Sequence, residues 1–458
     1  MDAIRFGTDG WRAPLTEFTA PRVRAVGQAV ATYLADEGQA RRPLAVGYDA
    51  RETSRGFAEE LARVLCVNGH DVLLPDRDCP TPLVAWAVHD RDLAGAFMVT
   101  ASHNPPEYNG VKFIPADAAP ALPAVTDEIE RNLARPDPLP EGEWGQVREA
   151  GFVDPHAEHA RRLVAGDCSG LTVAYDAMHG SGRDVTDRLL VAAGATVERV
   201  RCRPDPTFGG TPPEPTPAHL DPLEETMAAV DADIGIANDG DADRVAVATP
   251  DRGVVDGSQC FALIYDFLLA DASGPAVRTV STSGLIDRIA AAHGEEVVET
   301  AVGFKWVAEA MAAHDALVGG EESGGYSMRG HIREKDGVLM ALVLAAAAAA
   351  EPPDDRLDRL RETHGAFVAD KVCLDCPDAE KDRVLAAVEE SVPDAVAGRP
   401  VASVNPTDGV KLALEDGAWL LVRPSGTEPK MRIYAEADSE AAVREVLDAG
   451  RALVAPLV

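Results

Sequence analysis

A serine and a histidine stand together where an apolar segment of the chain ends. Residues 93–99 predict a buried strand, and the segment TASHNP follows it with Ser102 and His103. The next residues, PEYNGVK, predict a polar turn that ends at Lys112. Taken alone, the segment is either a well-made turn or a loop that presents Ser102 for chemistry.

Three aspartates alternate with small residues in IGIANDGDADRVAV, residues 234–247. In an extended segment, this period of two places Asp239, Asp241 and Asp243 on one side of the chain. Three neighbouring carboxylates repel one another unless a cation lies among them. A donor set of oxygens without His or Cys favours a hard ion, Mg²⁺ first. An EF-hand is excluded, because Arg244 stands where the loop needs glycine.

Two further segments suit a phosphorylated, hydroxyl-rich ligand. RPSGTEPK combines hydroxyl groups, glycine amides and two cations, which are the donors of a phosphate cradle. Its candidate residues are Arg423, Ser425, Gly426, Thr427 and Lys430. In VGGEESGGYSMRGHIREKDG, a glycine-rich loop carries Glu321 and Ser323, which can contact sugar hydroxyls. On its own, each segment is equally compatible with an ordinary turn or surface loop.

The composition restricts the classes of partner. Acidic residues number 76 against 43 basic ones, so the formal net charge of −33 disfavours nucleic acid and anionic membranes. Only seven of the basic residues are lysine, a balance typical of proteins adapted to high salt; biased codon usage is the alternative. Four of those lysines (112, 305, 335 and 430) are predicted to lie in loops beside the motifs.

Cysteine usage and hydropathy predict a cytoplasmic protein. Seven scattered cysteines, with one CxxC at Cys373 and Cys376, fit a reducing compartment and make a metal or redox centre improbable. The N-terminal residues lack the apolar stretch of a signal peptide. The longest apolar run, 338–350, is too short to span a membrane and predicts a buried helix.

The elements that must position these motifs recur along the chain. A strand ending in aspartate, a helix, a glycine and a second strand occur near 43–75 and 171–200, with a degenerate copy at 277–300. Such βαβ units predict parallel or mixed sheets covered by helices. Breaks are predicted at 134–146, 249–258 and from 351. The predicted domains are three similar α/β domains and a smaller α+β domain, over 1–148, 149–253, 254–366 and 367–458.

Together, a hard-metal site, a phosphate cradle, a hydroxyl-binding loop and a serine supply what phosphoryl transfer needs. The segments TASHNP, DGDADR, GEESG and RPSGTEP resemble, in order, the four active-site loops of the α-D-phosphohexomutase superfamily. The resemblance implies three tandem α/β domains with mixed sheets and a C-terminal α+β domain around a central active-site cleft.

The resemblance also implies a role for each matching residue. Ser102 would be a phosphoserine that holds Mg²⁺ together with Asp239, Asp241 and Asp243. The catalytic group would comprise Ser102, His103, Arg12, Lys112 and Lys335, with either lysine as the general acid or base. The substrate-binding residues would be Arg244, Gly303, Lys305, Glu321, Ser323, Arg423, Ser425, Gly426, Thr427 and Lys430.

The implied enzyme is a phosphotransferase that interconverts hexose 1-phosphate and hexose 6-phosphate through a hexose 1,6-bisphosphate, as a monomer or dimer acting on small sugar phosphates. Phosphomannomutase/phosphoglucomutase and phosphoglucosamine mutase members typically carry His two positions after the loop serine, where this chain has Gly325, and its segments GEESGG and HIREKDG resemble glucose-preferring members more closely. We therefore expect glucose to be favoured and mannose tolerated. The alternatives are a phosphoglucosamine mutase, a sugar phosphatase, or an inactive sugar-phosphate-binding protein.

Overall fold

A computed structural model describes residues 4–7, 9–164, 166–426 and 428–458. Thr427, predicted to bind phosphate, lies outside the described residues. The strands, in chain order, are β1 Trp11–Pro14, β2 Leu44–Tyr48, β3 Val72–Leu74, β4 Gly95–Val99, β5 Tyr108–Pro115, β6 Val147–Glu149, β7 Thr172–Asp176, β8 Thr196–Val200, β9 Ile234–Asn238, β10 Val245–Thr249, β11 Gly253–Val254, β12 Ala276–Thr279, β13 Val297–Thr300, β14 Val318–Gly320, β15 Tyr326–Met328, β16 Val368–Asp375, β17 Ala395–Val396, β18 Arg399–Asn405, β19 Val410–Leu414, β20 Trp419–Pro424 and β21 Lys430–Ala437.

The α-helices, in the same order, are α1 Ala20–Asp36, α2 Ser54–Val67, α3 Thr81–Asp90, α4 Pro123–Arg131, α5 Val153–Leu163, α6 Thr186–Ala192, α7 Asp221–Val230, α8 Gly257–Leu269, α9 Leu285–His293, α10 Phe304–His314, α11 Gly337–Ala350, α12 Pro353–His364, α13 Lys381–Glu390 and α14 Glu440–Val454. Two compact units divide the chain. Unit 1 is the part up to Ile264 with Ser323–Asp354, and unit 2 is Tyr265–Glu322 with Asp355–Val458.

Unit 1 contains two copies of one parallel motif. In the first, β2 lies between β4 and β3, and in the second, β7 lies between β9 and β8, with every neighbouring pair parallel. The next strand then runs back antiparallel, β5 against β4 and β10 against β9. All five residues of β2 are buried, as expected for a strand covered on both faces. The repeat predicted from the sequence is confirmed, and both sheets are mixed.

Helix α11 is the buried helix predicted from the long apolar run. Its residues from Gly337 to Ala348 are buried, and it packs against α6, β9 and β10. A carboxylate begins it: Asp336 Oδ1 accepts a hydrogen bond of 2.7 Å from the Leu339 amide, which satisfies a free donor of the first turn. In the part of the chain that the structure describes, no single helix is long and apolar enough to span a membrane; α11 and α12 reach that limit only as a bent pair.

Unit 2 contains the third copy of the motif and the C-terminal sheet. Strand β12 pairs in parallel with β13 and with β14, which repeats the order seen in unit 1. The C-terminal sheet is antiparallel in the order β16-β21-β20-β19-β18-β17, and α14 packs on it. The chain therefore has three α/β domains and a C-terminal α+β domain.

Three local predictions are wrong. PEYNGVK is not a turn: it lies mostly in β5, whose backbone pairs with β1 on one side and β4 on the other. The break predicted from 351 is mostly α12, because proline is tolerated at a first helical position and acidic residues stabilise that end. Of the four lysines predicted in loops, Lys112 lies in β5, Lys305 lies in α10 and Lys430 begins β21.

Candidate active site

Ser102 lies at the turn between β4 and β5 and is 1% exposed. Its φ of 49° is in the left-handed region, which costs free energy for a residue other than glycine. The Ser102 amide donates to the Thr100 hydroxyl (2.8 Å), and the Ser102 hydroxyl donates to Asp239 Oδ2 (2.7 Å). The Nδ1 atom of His103 is 3.3 Å from the same hydroxyl. Surrounding contacts thus hold the serine beside the aspartates.

Arg51 holds the serine loop, and the sequence analysis missed it. Its guanidinium donates to the carbonyl oxygens of Ser102 (2.8 Å), Asn104 (2.6 Å) and Pro105 (2.6 Å). Asp49, at the end of β2, pairs with Arg51 Nε at 3.0 Å and accepts the Thr100 hydroxyl at 2.8 Å. The sequence signal was the strand-ending aspartate of PLAVGYDAR, followed two residues later by arginine.

The three aspartates converge in a turn, not in an extended segment as predicted. Strand β9 ends at Asn238, β10 begins at Val245, and Ala242 in between has a φ of 53°. One oxygen from each of Asp239, Asp241 and Asp243 nevertheless lies within 4.8 Å of the others. A Cβ on Gly240 would come within 2.6 Å of the Ser102 carbonyl oxygen, so glycine is required for this close approach.

Two buried lysines neutralise this acidic cluster. Lys112 Nζ lies 2.9 Å from Asp243 Oδ2 and 3.2 Å from Asp241 Oδ2. Lys335 Nζ lies 3.2 Å from Asp243 Oδ2. Asp9, which the sequence analysis did not single out, joins both lysines through Oδ2, at 2.8 Å from Lys112 and 3.1 Å from Lys335. The structure therefore places both candidate acid–base lysines beside the same two carboxylates, those of Asp9 and Asp243.

Burial and neighbouring charge shift the pKa values in different directions. Burial, together with the charges of Asp241 and Asp243, raises the pKa of Asp239 well above its usual value. Burial also opposes ionisation of Asp241, but Lys112 and the Thr81 hydroxyl bring its pKa below the usual value. For Lys112, burial favours the neutral amine, but Asp241, Asp243 and Asp9 outweigh it and raise its pKa.

The remaining predicted side chains of unit 1 surround this cluster. Burial, with the cations Arg244 and Arg12, lowers the pKa of His103 to about 2, so its imidazole is neutral at physiological pH. Arg12 donates to Asn104 Oδ1 at 3.2 Å and to Asp9 Oδ2 at 3.4 Å. The Arg244 amide donates to Asp239 Oδ1 at 3.1 Å. All predicted catalytic and metal-binding residues are thus brought together in unit 1.

The aspartate cluster fits a hard divalent cation. The Oδ1 atoms of Asp241 and Asp243 are buried without a hydrogen-bond partner among the described residues. Buried carboxylate oxygens are costly unless a donor or cation satisfies them. An ion coordinated by Asp239, Asp241 and Asp243 would satisfy these oxygens and offset the burial and the mutual repulsion that raise the pKa of Asp239.

The residues predicted to contact sugar hydroxyls fall in both units. In unit 2, Glu321 is 7% exposed and accepts the Gly303 amide at 2.9 Å, which orients the carboxylate at the start of α10. The Lys305 ammonium lies 5.8 Å from the centre of the Trp306 ring. The division between the units falls after Glu322, so Ser323, which is exposed, is part of unit 1.

A lysine that no sequence motif indicated supports the loop of unit 2 that is predicted to bind phosphate. Lys381 Nζ donates to the carbonyl oxygens of Ser425 (2.5 Å) and Glu428 (2.6 Å), which closes the loop between β20 and β21. Arg423 pairs with Asp408 at 3.1 Å, and Lys430 pairs with Glu428 at 3.0 Å. Ser425 is buried and Gly426 is exposed at the tip.

The amino-acid sequence of the chain matches four protein-family models. Three read phosphoglucomutase/phosphomannomutase, alpha/beta/alpha domain I, domain II and domain III, and they match residues 3–139, 152–253 and 256–364. The fourth, the phosphoglucomutase/phosphomannomutase C-terminal domain, matches residues 374–452.

Similar proteins extend over nearly the whole chain. A phosphoglucomutase/phosphomannomutase of Thermococcus kodakarensis is 32% identical, over 97% of this chain and 97% of its own. A protein of Methanopyrus kandleri named probable phosphoglucosamine mutase is 34% identical, over 97% and 96%. The solved structure of a phosphoglucomutase/phosphomannomutase family protein from Burkholderia thailandensis shares the fold, with a TM-score of 0.86 at 22% identity, over 99% and 97% of the two chains.

Proposed function

The chain belongs to the phosphoglucomutase/phosphomannomutase family of the α-D-phosphohexomutase superfamily, and from this premise we propose that it interconverts hexose 1-phosphate and hexose 6-phosphate through a phosphoserine at Ser102. One observation carries the proposal. The Ser102 hydroxyl is 2.7 Å from Asp239, in a cluster of three carboxylates to which two lysines are paired. A phosphorylated serine needs this combination of metal ligands and cations.

In the proposed reaction, the bond between phosphorus and Ser102 Oγ breaks as a hexose hydroxyl oxygen forms a bond to the same phosphorus. The serine oxygen gains a proton from the ammonium group of Lys112 or Lys335, and the amine so formed takes the proton that the hexose hydroxyl loses. The ammonium groups of Lys112 and Lys335 both pair with Asp243, and either one can donate a proton to the departing serine oxygen. The resulting hexose 1,6-bisphosphate then returns its other phosphoryl group to Ser102.

Mg²⁺ is the proposed cofactor, held by the serine phosphate together with Asp239, Asp241 and Asp243. When bound, it supplies charge neutralisation at the transferring phosphoryl group. Arg12, His103 and Arg244 are proposed to contact the phosphoryl oxygens. The proposed sugar ligands are Gly303, Lys305, Glu321 and Ser323, and the proposed clamp for the second phosphate is Arg423, Ser425, Gly426, Thr427 and Lys430.

Glucose phosphate is the proposed preferred substrate, with mannose phosphate as a second one. Support comes from Gly325, where a Cβ would lie 2.5 Å from Lys335 Cδ, so a larger residue at this position requires Lys335 to move. Glucosamine phosphate is the alternative to these two substrates, because the Methanopyrus kandleri relative is named probable phosphoglucosamine mutase. A comparison of kcat/KM for glucose, mannose and glucosamine 1-phosphates, with bisphosphate activator present, ranks the three.

Intact-mass spectrometry tests the phosphoserine directly. Wild-type protein incubated with hexose 1,6-bisphosphate should gain one phosphate, and Ser102→Ala should lose both that mass and turnover. Ser391→Ala, which alters an exposed serine, is the matched control and should retain both. Turnover by Ser102→Ala would contradict the mechanism. An inactive binding protein would never gain the phosphate, and a phosphatase would release it as inorganic phosphate.

A further inference from the structure

A second group of metal-ligating side chains lies in unit 1 and has no part in the proposed phosphoryl transfer. It consists of His156 on α5 with His331 and Asp336 from the segment before α11. The Nε2 atom of His156 is 2.6 Å from Asp336 Oδ2, and the Nε2 atom of His331 is 2.8 Å from the same oxygen. All three side chains are at most 1% exposed.

We propose that this group is a transition-metal site that binds Zn²⁺ or a similar ion. Two imidazole nitrogens and one carboxylate oxygen form a typical zinc donor set. Mg²⁺ prefers oxygen ligands and retains bound water, so the imidazoles select against the ion proposed for the aspartate cluster. The two sites would therefore differ in the metal they take.

Neighbouring side chains hold the His331 ring in a fixed orientation, as is usual for a histidine that binds a metal. His159 Nε2 is 3.1 Å from His331 Nδ1, so the far side of the His331 ring has the polar partner that a ligating imidazole normally has. The indole ring of Trp86 stacks on His159 with ring centres 3.8 Å apart. It also stacks on His331 at 5.5 Å. These contacts fix the plane of the His331 imidazole.

One buried nitrogen and the donor spacing bear on how an ion would fit. The Nδ1 atom of His156 is buried without a hydrogen-bond partner among the described residues, and it has none whether or not an ion is bound at Nε2. Tetrahedral zinc bonds of about 2.0–2.1 Å place donor atoms about 3.3 Å apart. The donor pairs, now 2.6 and 2.8 Å apart, therefore need to separate by about 0.7 and 0.5 Å. An imidazole that binds the ion through Nε2 carries its remaining proton on Nδ1.

The position of Asp336 gives binding a structural consequence. Its Oδ1 atom caps α11, and it directly follows Lys335 in the sequence. An ion on Oδ2 would tie α5 to this segment, so it should raise the melting temperature in proportion to the logarithm of its free concentration. This effect is measurable without any assay of sugar phosphate turnover.

The test is a metal titration of the full chain after chelator treatment, in excess Mg²⁺ so that the aspartate cluster is saturated. Wild type, Asp241→Asn and His314→Gln, whose histidine is exposed, should each bind one Zn²⁺. His156→Gln and His331→Gln should bind it at least tenfold more weakly, with a smaller increase in melting temperature. Equal binding by either variant, or none by wild type, would overturn the site and leave a metal-free hydrogen-bond network.

Cobalt(II) provides an independent measurement on wild-type protein, should the histidine variants not fold. A four-coordinate site with imidazole ligands gives intense visible absorption, whereas six oxygen ligands give weak absorption. Intense absorption that Zn²⁺ abolishes and Mg²⁺ does not would support the His₂Asp site. Weak absorption, or absorption abolished by Mg²⁺, would contradict it.

Discussion

Lys335 has its position set by a glycine on one side and carboxylates on the other. A Cβ at Gly325 would lie 2.5 Å from Lys335 Cδ and 2.9 Å from its Cγ. The ammonium end has little freedom to move away, because it is paired with Asp9 at 3.1 Å and Asp243 at 3.2 Å. Lys335 can therefore occupy its present position because Gly325 has no Cβ.

Gly325→Ala should displace Lys335 and lower kcat by about tenfold to a hundredfold, which corresponds to about 1.4–2.7 kcal/mol. The added methyl group would overlap with the aliphatic part of the Lys335 side chain, and only movement of that side chain relieves the overlap. Steady-state kinetics on glucose 1-phosphate measures the loss. Gly56→Ala, at a position with open space around its Cβ, is the control and should keep wild-type kcat. A Gly325→Ala enzyme with unchanged kcat would show that the position of Lys335 does not limit turnover.

Asp241→Asn tests the aspartate cluster as the metal site. The substitution removes one negative charge from three and leaves the hydrogen-bond acceptor of the Thr81 hydroxyl, which lies 2.6 Å away. We expect the Mg²⁺ concentration for half-maximal activity to rise by at least tenfold and kcat to fall with it. Asp127→Asn, an exposed position on α4, should change neither value. If the Mg²⁺ requirement of Asp241→Asn stays as in wild type, the metal lies elsewhere.

At the scale of elements, the loop between β4 and β5 depends on a residue of the loop that follows β2, the parallel neighbour of β4. Arg51 reaches the carbonyl oxygens of Ser102, Asn104 and Pro105, and buried Asp49 fixes its guanidinium. Ser102 has a φ of 49°, a conformation that such contacts must maintain. Arg51 is therefore a positioning residue for the serine rather than a group that touches substrate.

Arg51→Lys should retain the charge but lose the planar fork that contacts several carbonyl oxygens together. Each such bond contributes about 1.5–3 kcal/mol, so a drop in kcat of about a hundredfold is expected, with a smaller change in KM. The transfer of phosphate from hexose 1,6-bisphosphate to Ser102, measured by mass spectrometry, should slow together with kcat. Arg55→Lys, which alters an exposed arginine of α2, should leave both rates unchanged. Wild-type phosphate transfer by Arg51→Lys would remove Arg51 from the positioning role.

The repeat of strands was predictable because burial on both faces leaves a continuous apolar signature, as in LAVGY of β2. Polar supporting residues leave no comparable signature. Arg51 and Lys381 donate to backbone carbonyl oxygens 44 to 57 residues away, and carbonyl groups are the same in every residue. The turn at Asp239 to Asp243 depends on a left-handed Ala242, which local residue preferences do not favour.

At the scale of the whole molecule, the excess of acid is the dominant electrostatic feature. Many exposed ion pairs, such as Arg162 with Glu158, are worth little because water screens them. With 76 acidic and 43 basic residues, each compact unit experiences self-repulsion that the unfolded chain relieves by expansion. Added salt shortens the range of this repulsion from about 10 Å at ~0.1 M to about 3 Å at ~1 M.

We therefore expect the melting temperature to rise with potassium chloride between ~0.1 M and ~2 M, since screening removes the repulsion in the folded state. A gain of about 2 kcal/mol in the free energy of unfolding would appear as about 4–8 °C in a cooperative unit of about 150–250 residues. Differential scanning fluorimetry measures it, with sucrose as the control for stabilisation by exclusion from the protein surface. A melting temperature that is constant or falls with potassium chloride would show that the net charge of −33 does not limit stability.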